Sequence, residues 1–168
     1  MRQNLLLLVT LLAASSASHG WSLTVDKDEM AGKESRSLAV ESENNHTLSW
    51  PYGTISGRLI VRKHPRYGKD VIFTATKGQI LCSSYSGCPI MVKFDDRPAL
   101  KLNGTEPAVH DSTMVFISGF DRIVTGLKTA KKTRIEVQFY QNGSRVFEFD
   151  TEDFDPSKLD PTPKAKPK

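Results

Sequence analysis

The chain has 168 residues, a formal net charge of +4, 25% charged residues and 38% apolar residues, with two cysteines. These values describe one globular domain with enough chain to bury its own core. So modest a positive balance argues against a nucleic-acid partner, and no stretch beyond residue 20 approaches the roughly 20 apolar residues of a transmembrane segment.

Residues 1–20 read as an export signal. Arg2 supplies the positive charge, and "LLLLVTLLAA", Leu5 to Ala14, is an apolar run too short to cross a bilayer. Small residues follow, and they place cleavage before Ser18 or before Trp21. No cysteine follows the run, which argues against an acylated lipoprotein. Starting at Trp21 leaves about 148 residues, one ordinary domain. Loss of Arg2 lowers the charge from +4 to +3.

The exported part is dominated by short runs of alternating apolar and polar residues, the period of a half-buried strand. "WSLTV" (21–25) and "RSLAVES" (36–42) are the weaker ones, with "DKDEMAGKES" between them as a polar turn. Clearer strands are expected at 57–63, 69–75, 78–82, 89–94, 98–103, 113–117, 133–140 and 144–150. In the last pair Ile135, Val137 and Phe139 alternate with polar residues, and Phe147 and Phe149 continue the apolar face. Between them Asn142-Gly143 tolerates the positive φ angles of a hairpin turn. One segment breaks the pattern. Phe120, Ile123, Val124 and Leu127 recur at helical spacing, which predicts a helix over about 118–131, with Ser118 and Asp121 as a capping box. From Asp155 the proline- and lysine-rich end reads as a flexible tail, 155–168, after a single β-rich domain, 21–154. The expected fold is mainly β: an antiparallel β-sandwich or open barrel with one packed helix and one disulfide.

The disulfide is the best reading of Cys82 and Cys88. If 78–82 and 88–94 form a hairpin around "SSYSG", Cys82 opposes Cys88 and Ile80 opposes Ile90. Directly opposed residues of an antiparallel pair have the separation a disulfide needs, and an exported protein meets an oxidising environment. The spacing is not the C-x-x-C of a redox pair. The scattered His46, His64 and His110 do not supply a zinc set, so no metal or other cofactor is expected.

Groups with chemical potential each have a plainer reading beside them. "HDS", His110 to Ser112, holds residue types of nucleophilic catalysis, but triads assemble in space and adjacency is no support. Asp95-Asp96 and "DTEDFD" (150–155) lack the ligand spacing of a calcium loop and read as turns. "VRKHPRYGKD" (61–70) places Arg62, Lys63 and Arg66 where they can face an anionic partner, against the plainer reading of a solvated loop. "SWPYG" (49–53) offers Trp50 and Tyr52 to a sugar or a partner, against packing at the core edge. Asn45, Asn103 and Asn142 begin N-glycosylation sequons.

Trp21 with "DKDEMAGK", then "ESEN", "PYG", "GQILC…C…VKFDD" and "KTAKKTRIEVQFYQNGSRVFEF", resembles a group of small exported proteobacterial proteins of uncharacterised function. More loosely, the layout is similar to that of TagO-like accessory proteins of type VI secretion. The resemblance implies the periplasm and makes the sequons incidental. The expected function is therefore non-enzymatic binding: a periplasmic accessory protein whose partner is an envelope protein or an anionic envelope component. An inhibitor or immunity protein against a cell-wall hydrolase is the first alternative. A hydrolase of envelope polymer is the second.

Overall fold

The computed structural model describes residues 20–160, apart from Ala31. The expected export signal, up to residue 19, and the chain beyond Asp160 lie outside the described residues. Nine strands form one antiparallel sheet: β1 (Ser22–Asp28), β2 (Lys33–Leu48), β3 (Gly53–His64), β4 (Gly68–Ala75), β5 (Cys88–Phe94), β6 (Leu100–Thr105), β7 (Met114–Ile117), β8 (Lys132–Phe139) and β9 (Gly143–Asp150). Helix α1 (Phe120–Leu127) lies between β7 and β8, and a 3-10 helix (Pro156–Leu159) follows β9. The strand order is β1-β2-β3-β4-β7-β6-β5-β8-β9. After β4 the chain crosses one end of the sheet and returns through β5, β6 and β7 to pair again with β4. Among the described residues no helix is long and apolar enough to cross a membrane.

Alternation decides which side chains go in. Leu59 and Val61 of β3, Val71 and Phe73 of β4, Ile90 and Val92 of β5, and Ile135 and Val137 of β8 are all buried. Phe73, Phe139, Phe147 and Phe149 are among the largest fully buried side chains, each of a kind worth about 1.5–3 kcal/mol when removed from water. Burying all of them requires the sheet to curl, and it does so until β9 lies along β2.

No backbone ladder joins these two strands; side chains do. The register of β2 on β3 shifts between Glu41 and Asn45. At the shift the Ser42 hydroxyl donates to the Asn44 carbonyl and accepts from the Gly57 N–H. Asn44 then reaches β9, its Nδ2 donating to the Val146 carbonyl at 2.9 Å and its Oδ1 accepting the Glu148 N–H at 2.8 Å. His46 Nε2 donates to the same Val146 carbonyl at 2.7 Å. One asparagine side chain thus offers β9 the donor and acceptor that a strand residue would offer. Strand β1 is left outside the seam, with Leu23 and Val25 exposed.

Three expectations are corrected. The hairpin of 78–82 with 88–94 does not form: Ile80 bridges Phe139, and β5 pairs with β6 and β8. The opposition of the cysteines survives locally, because Ser83 and Gly87 bridge and bring Cys82 and Cys88 to a Cα separation of 4.7 Å, joined as a disulfide. The helix is shorter than expected and has no capping box. It starts after Gly119, at a left-handed φ of 84°, and the Ser118 hydroxyl instead accepts the Asn103 N–H. It packs on the core through Ile123 and Leu127, and Gly126 lies so close to the Phe94 ring that a Cβ there would stand 2.3 Å from it. Finally, the composition break at Asp155 does not end the packed structure. Asp155 caps the 3-10 helix, Leu159 is buried, the Phe154 ring packs at a tilt against Trp21, and Lys63 pairs with Asp160.

Candidate functional site

Four connections meet at one end of the curled sheet: β2–β3, β4–β5, β6–β7 and β8–β9. Backbone and side-chain hydrogen bonds knit them together. Ile80 N–H donates to the Ser112 carbonyl and Leu81 N–H to the Gln138 carbonyl, both at 2.8 Å, so residues 79–81 cross the end between the β6–β7 loop and β8. The Tyr140 N–H donates to the Gln79 carbonyl at 2.8 Å. Ile80 itself is buried, a plug beneath the loops.

The β8–β9 turn contributes the remaining tie. Phe139 pairs with Gly143, and the positive φ angles fall on Gln141 and Gly143. Asn142 works through its side chain, its Oδ1 accepting the Ser49 N–H at 2.7 Å and its Nδ2 donating to the Tyr140 carbonyl. The Trp50 turn is thereby fastened beside Tyr140.

On this fixed base stand side chains that the core does not use. Trp50 is 93% exposed, Tyr85 100%, Val109 82% and Tyr140 46%. Isolated exposed apolar residues are ordinary; here four stand on neighbouring loops at one end of the sheet. "SWPYG" offered Trp50 for contact against packing at the core edge, and the structure leaves it exposed. Tyr52 packs against the core, half-buried, as the plainer reading expected. Tyr85, Val109 and Tyr140 were missed, although an aromatic residue alone among serines between two cysteines was a signal for Tyr85.

Arg62, Lys63 and Arg66 lie at the opposite end. Trp50 and Arg66 flank the two ends of β3, whose twelve residues run about 36 Å at roughly 3.3 Å each. The aromatic and basic candidates are therefore not brought together. The basic ones also have partners: Arg62 holds Asp70 at 2.6 Å, Arg66 holds Asp28 at 2.8 Å, and Lys63 holds Asp160. Much of the positive charge of "VRKHPRYGKD" is answered within the fold.

The remaining groups are engaged locally. His110 turns to Glu106 at 3.3 Å, and Asp111 accepts from both the N–H and the hydroxyl of Thr113, which hold its carboxyl below the usual range. Asp95 accepts the N–H groups of Lys131 and Lys132 and so sets the start of β8. Among the described residues no three His, Cys, Asp or Glu side chains gather as metal ligands. No protein-family model, curated protein or solved structure matches this chain.

Proposed function

We propose that the protein is an exported, non-enzymatic binding or accessory protein of the cell envelope, acting in the periplasm, and that it engages its partner with the loop end of the sheet. The observation that carries this reading is the set of exposed aromatic residues, Trp50, Tyr85 and Tyr140, on loops tied to one another and to the buried plug. Aromatic side chains turn about few bonds and so lose little freedom on binding, and Trp and Tyr are over-represented among the residues that dominate interface energies. The disulfide fits an oxidising compartment, and the resemblance to small exported proteobacterial proteins points to the same place. The neutralised basic hairpin, with Arg62, Lys63 and Arg66, takes the lesser share.

The test is capture from an envelope extract on the immobilised mature protein, at low and at raised salt. A Trp50→Ala/Tyr140→Ser variant and an Arg62→Ser/Lys63→Ser/Arg66→Ser variant run beside it. Capture that survives raised salt, persists in the basic variant and is lost in the aromatic one is the expected pattern. Capture lost only in the basic variant, or recovery of bulk envelope by all three, overturns the assignment. Both side chains of the aromatic variant are exposed, so its unfolding free energy is expected within about 1 kcal/mol of the parent's, and loss of capture by a variant that meets this reads on the surface and not on folding.

A further inference from the structure

Within this reading, the hairpin closed by Cys82 and Cys88 has a form that narrows the class of partner. We propose that it inserts Tyr85 into a concave site of a folded, exported protein, while Lys101 meets an acidic group on the rim of that site.

The hairpin tip is fixed from three sides. The disulfide closes its stem, Gly87 N–H donates to the Ser83 carbonyl at 2.8 Å, and the Ser83 hydroxyl accepts the N–H groups of Tyr85 and Ser86 at 3.1 and 3.2 Å. The stem lies flush on β6. At Gly87, with φ of +71°, a Cβ would stand 2.5 Å from the Gly104 carbonyl oxygen, so no other residue allows this approach. Conformational freedom that a flexible loop surrenders on binding has already been surrendered here.

The tip presents one large side chain. Ser84 and Ser86 flank Tyr85, and neither shields the ring, which is fully exposed. A sugar-binding platform needs aromatic faces flush with the surface and polar groups beside them. An extended peptide needs a groove or a sheet edge. A lone ring on narrow shoulders suits a slot that closes around it, with an acceptor for the phenol hydroxyl at its floor. Slots of this kind are few on any protein and are commonly its ligand or catalytic clefts, so the hairpin in place would occlude one.

Charge sets the rim. Beside the hairpin lies a shallow depression of about 550 Å³ lined by Ser86, Gly87, Pro89, Lys101 and Asn103. Arg62, Lys63, Arg66, Lys132 and Arg134 are all held by carboxylates. Lys101 is exposed on β6 and forms no ion pair among the described residues. Its charge is therefore available to a carboxylate that settles into the depression when Tyr85 enters its slot.

A photo-reactive benzoylphenylalanine placed at position 85, and separately at position 50, in cells producing the full chain distinguishes the possibilities. The expected result is an adduct from position 85 with one exported protein, on peptides that line a cleft in its structure. That protein, purified, is expected to bind about tenfold or more weakly to Tyr85→Ala, and less weakly to Tyr85→Phe. It should bind several-fold more weakly to Lys101→Glu, with that loss shrinking as salt rises. The thermal midpoints of all three variants should match that of the parent, since both side chains are exposed. Adducts from position 50 and none from position 85 overturn insertion but leave the loop end as the contact surface. Adducts from neither position overturn both readings. An adduct only with lipid or glycan, or undiminished binding by Tyr85→Ala, also overturns insertion.

Discussion

Replacing Asn44 with alanine tests how the curled sheet is held shut. The substitution removes the hydrogen bonds to the Val146 carbonyl and from the Glu148 N–H, at 2.9 and 2.8 Å; the Glu148 N–H is left without that partner, while the Val146 carbonyl keeps the bond from His46 Nε2. A hydrogen bond of this kind contributes about 0.5–1.5 kcal/mol net. Asn44 is half-exposed, so water can reach the abandoned N–H and relieve part of the penalty. The expected loss is about 1–3 kcal/mol, which for a domain of this size corresponds to a fall of roughly 3–10 °C in thermal midpoint. Asn44→Asp is expected to do no better, because a carboxylate keeps the acceptor but faces the Val146 carbonyl without a donor. Urea unfolding gives the stability, and amide hydrogen exchange at Glu148 shows whether the seam has opened. If Asn44→Ala changes stability by less than about 0.3 kcal/mol and leaves the Glu148 amide protected, packing of the buried phenylalanines holds the seam unaided and the reasoning fails.

Three further outcomes follow from the same structure. Gly126→Ala is expected to destabilise by about 1–3 kcal/mol through overpacking against the Phe94 ring, even though alanine is the better helix former by about 1 kcal/mol; urea unfolding that shows stabilisation contradicts the close approach. Cys82→Ser/Cys88→Ser should lower stability by about 2 kcal/mol, the chain-entropy value for so short a loop, measured by denaturation of the parent and the variant under identical conditions. Glu148 is held below the ordinary carboxylate range, chiefly by the hydrogen bond from Arg134 and secondarily by Lys132. Its folded pKa lies below its unfolded one, so it adds stability above the ordinary glutamate range and loses it as pH falls through the lowered value. Glu148→Gln should cost about 0.5–1 kcal/mol at neutral pH, a value discounted for partial exposure. Its unfolding free energy should converge with the parent's at acid pH, and a constant difference across that range would refute the assignment.

Most strands were legible because alternation is a direct print of a half-buried strand. Leu59, Val61, Ile135, Val137 and Phe147 needed no tertiary information to be placed on the inner face. The end of β2 was not legible. "ENNHTL" carries almost no apolar period, and its strand conformation is stabilised by what Asn44 and His46 reach on β9, about a hundred residues away in the chain. Residues 78–82 misled for the opposite reason. Their alternation is real, but the curled sheet uses Ile80 as an end plug, so a strand-like pattern makes only a single bridge. Asp155–Asp160 looked too poor in apolar residues to pack, yet one leucine and the ion pair from Lys63 suffice to seat it. At the candidate site, "SWPYG" offered Trp50 for contact against packing at the core edge. That Tyr85, Tyr140 and Trp50 share one end depended on strand order, which no local pattern reports. Nor did the density of Arg62, Lys63 and Arg66 reveal the aspartates that answer them.

The tilted contact of the Trp21 and Phe154 rings, with centroids 4.7 Å apart, brings the first and last described residues together on the β2–β3 side, where Lys63 also holds Asp160. Counting around the curled sheet, β6 is four strands from β2 in either direction. The Tyr85 hairpin, resting on β6, therefore faces away from residues 20 and 160. A fusion partner or surface attachment joined at residue 20 or residue 160 leaves the hairpin free. The same proximity makes the domain suited to circular permutation, with a short linker joining residues 160 and 20 and new ends opened in the turn at Arg66–Tyr67, far from the aromatic loops.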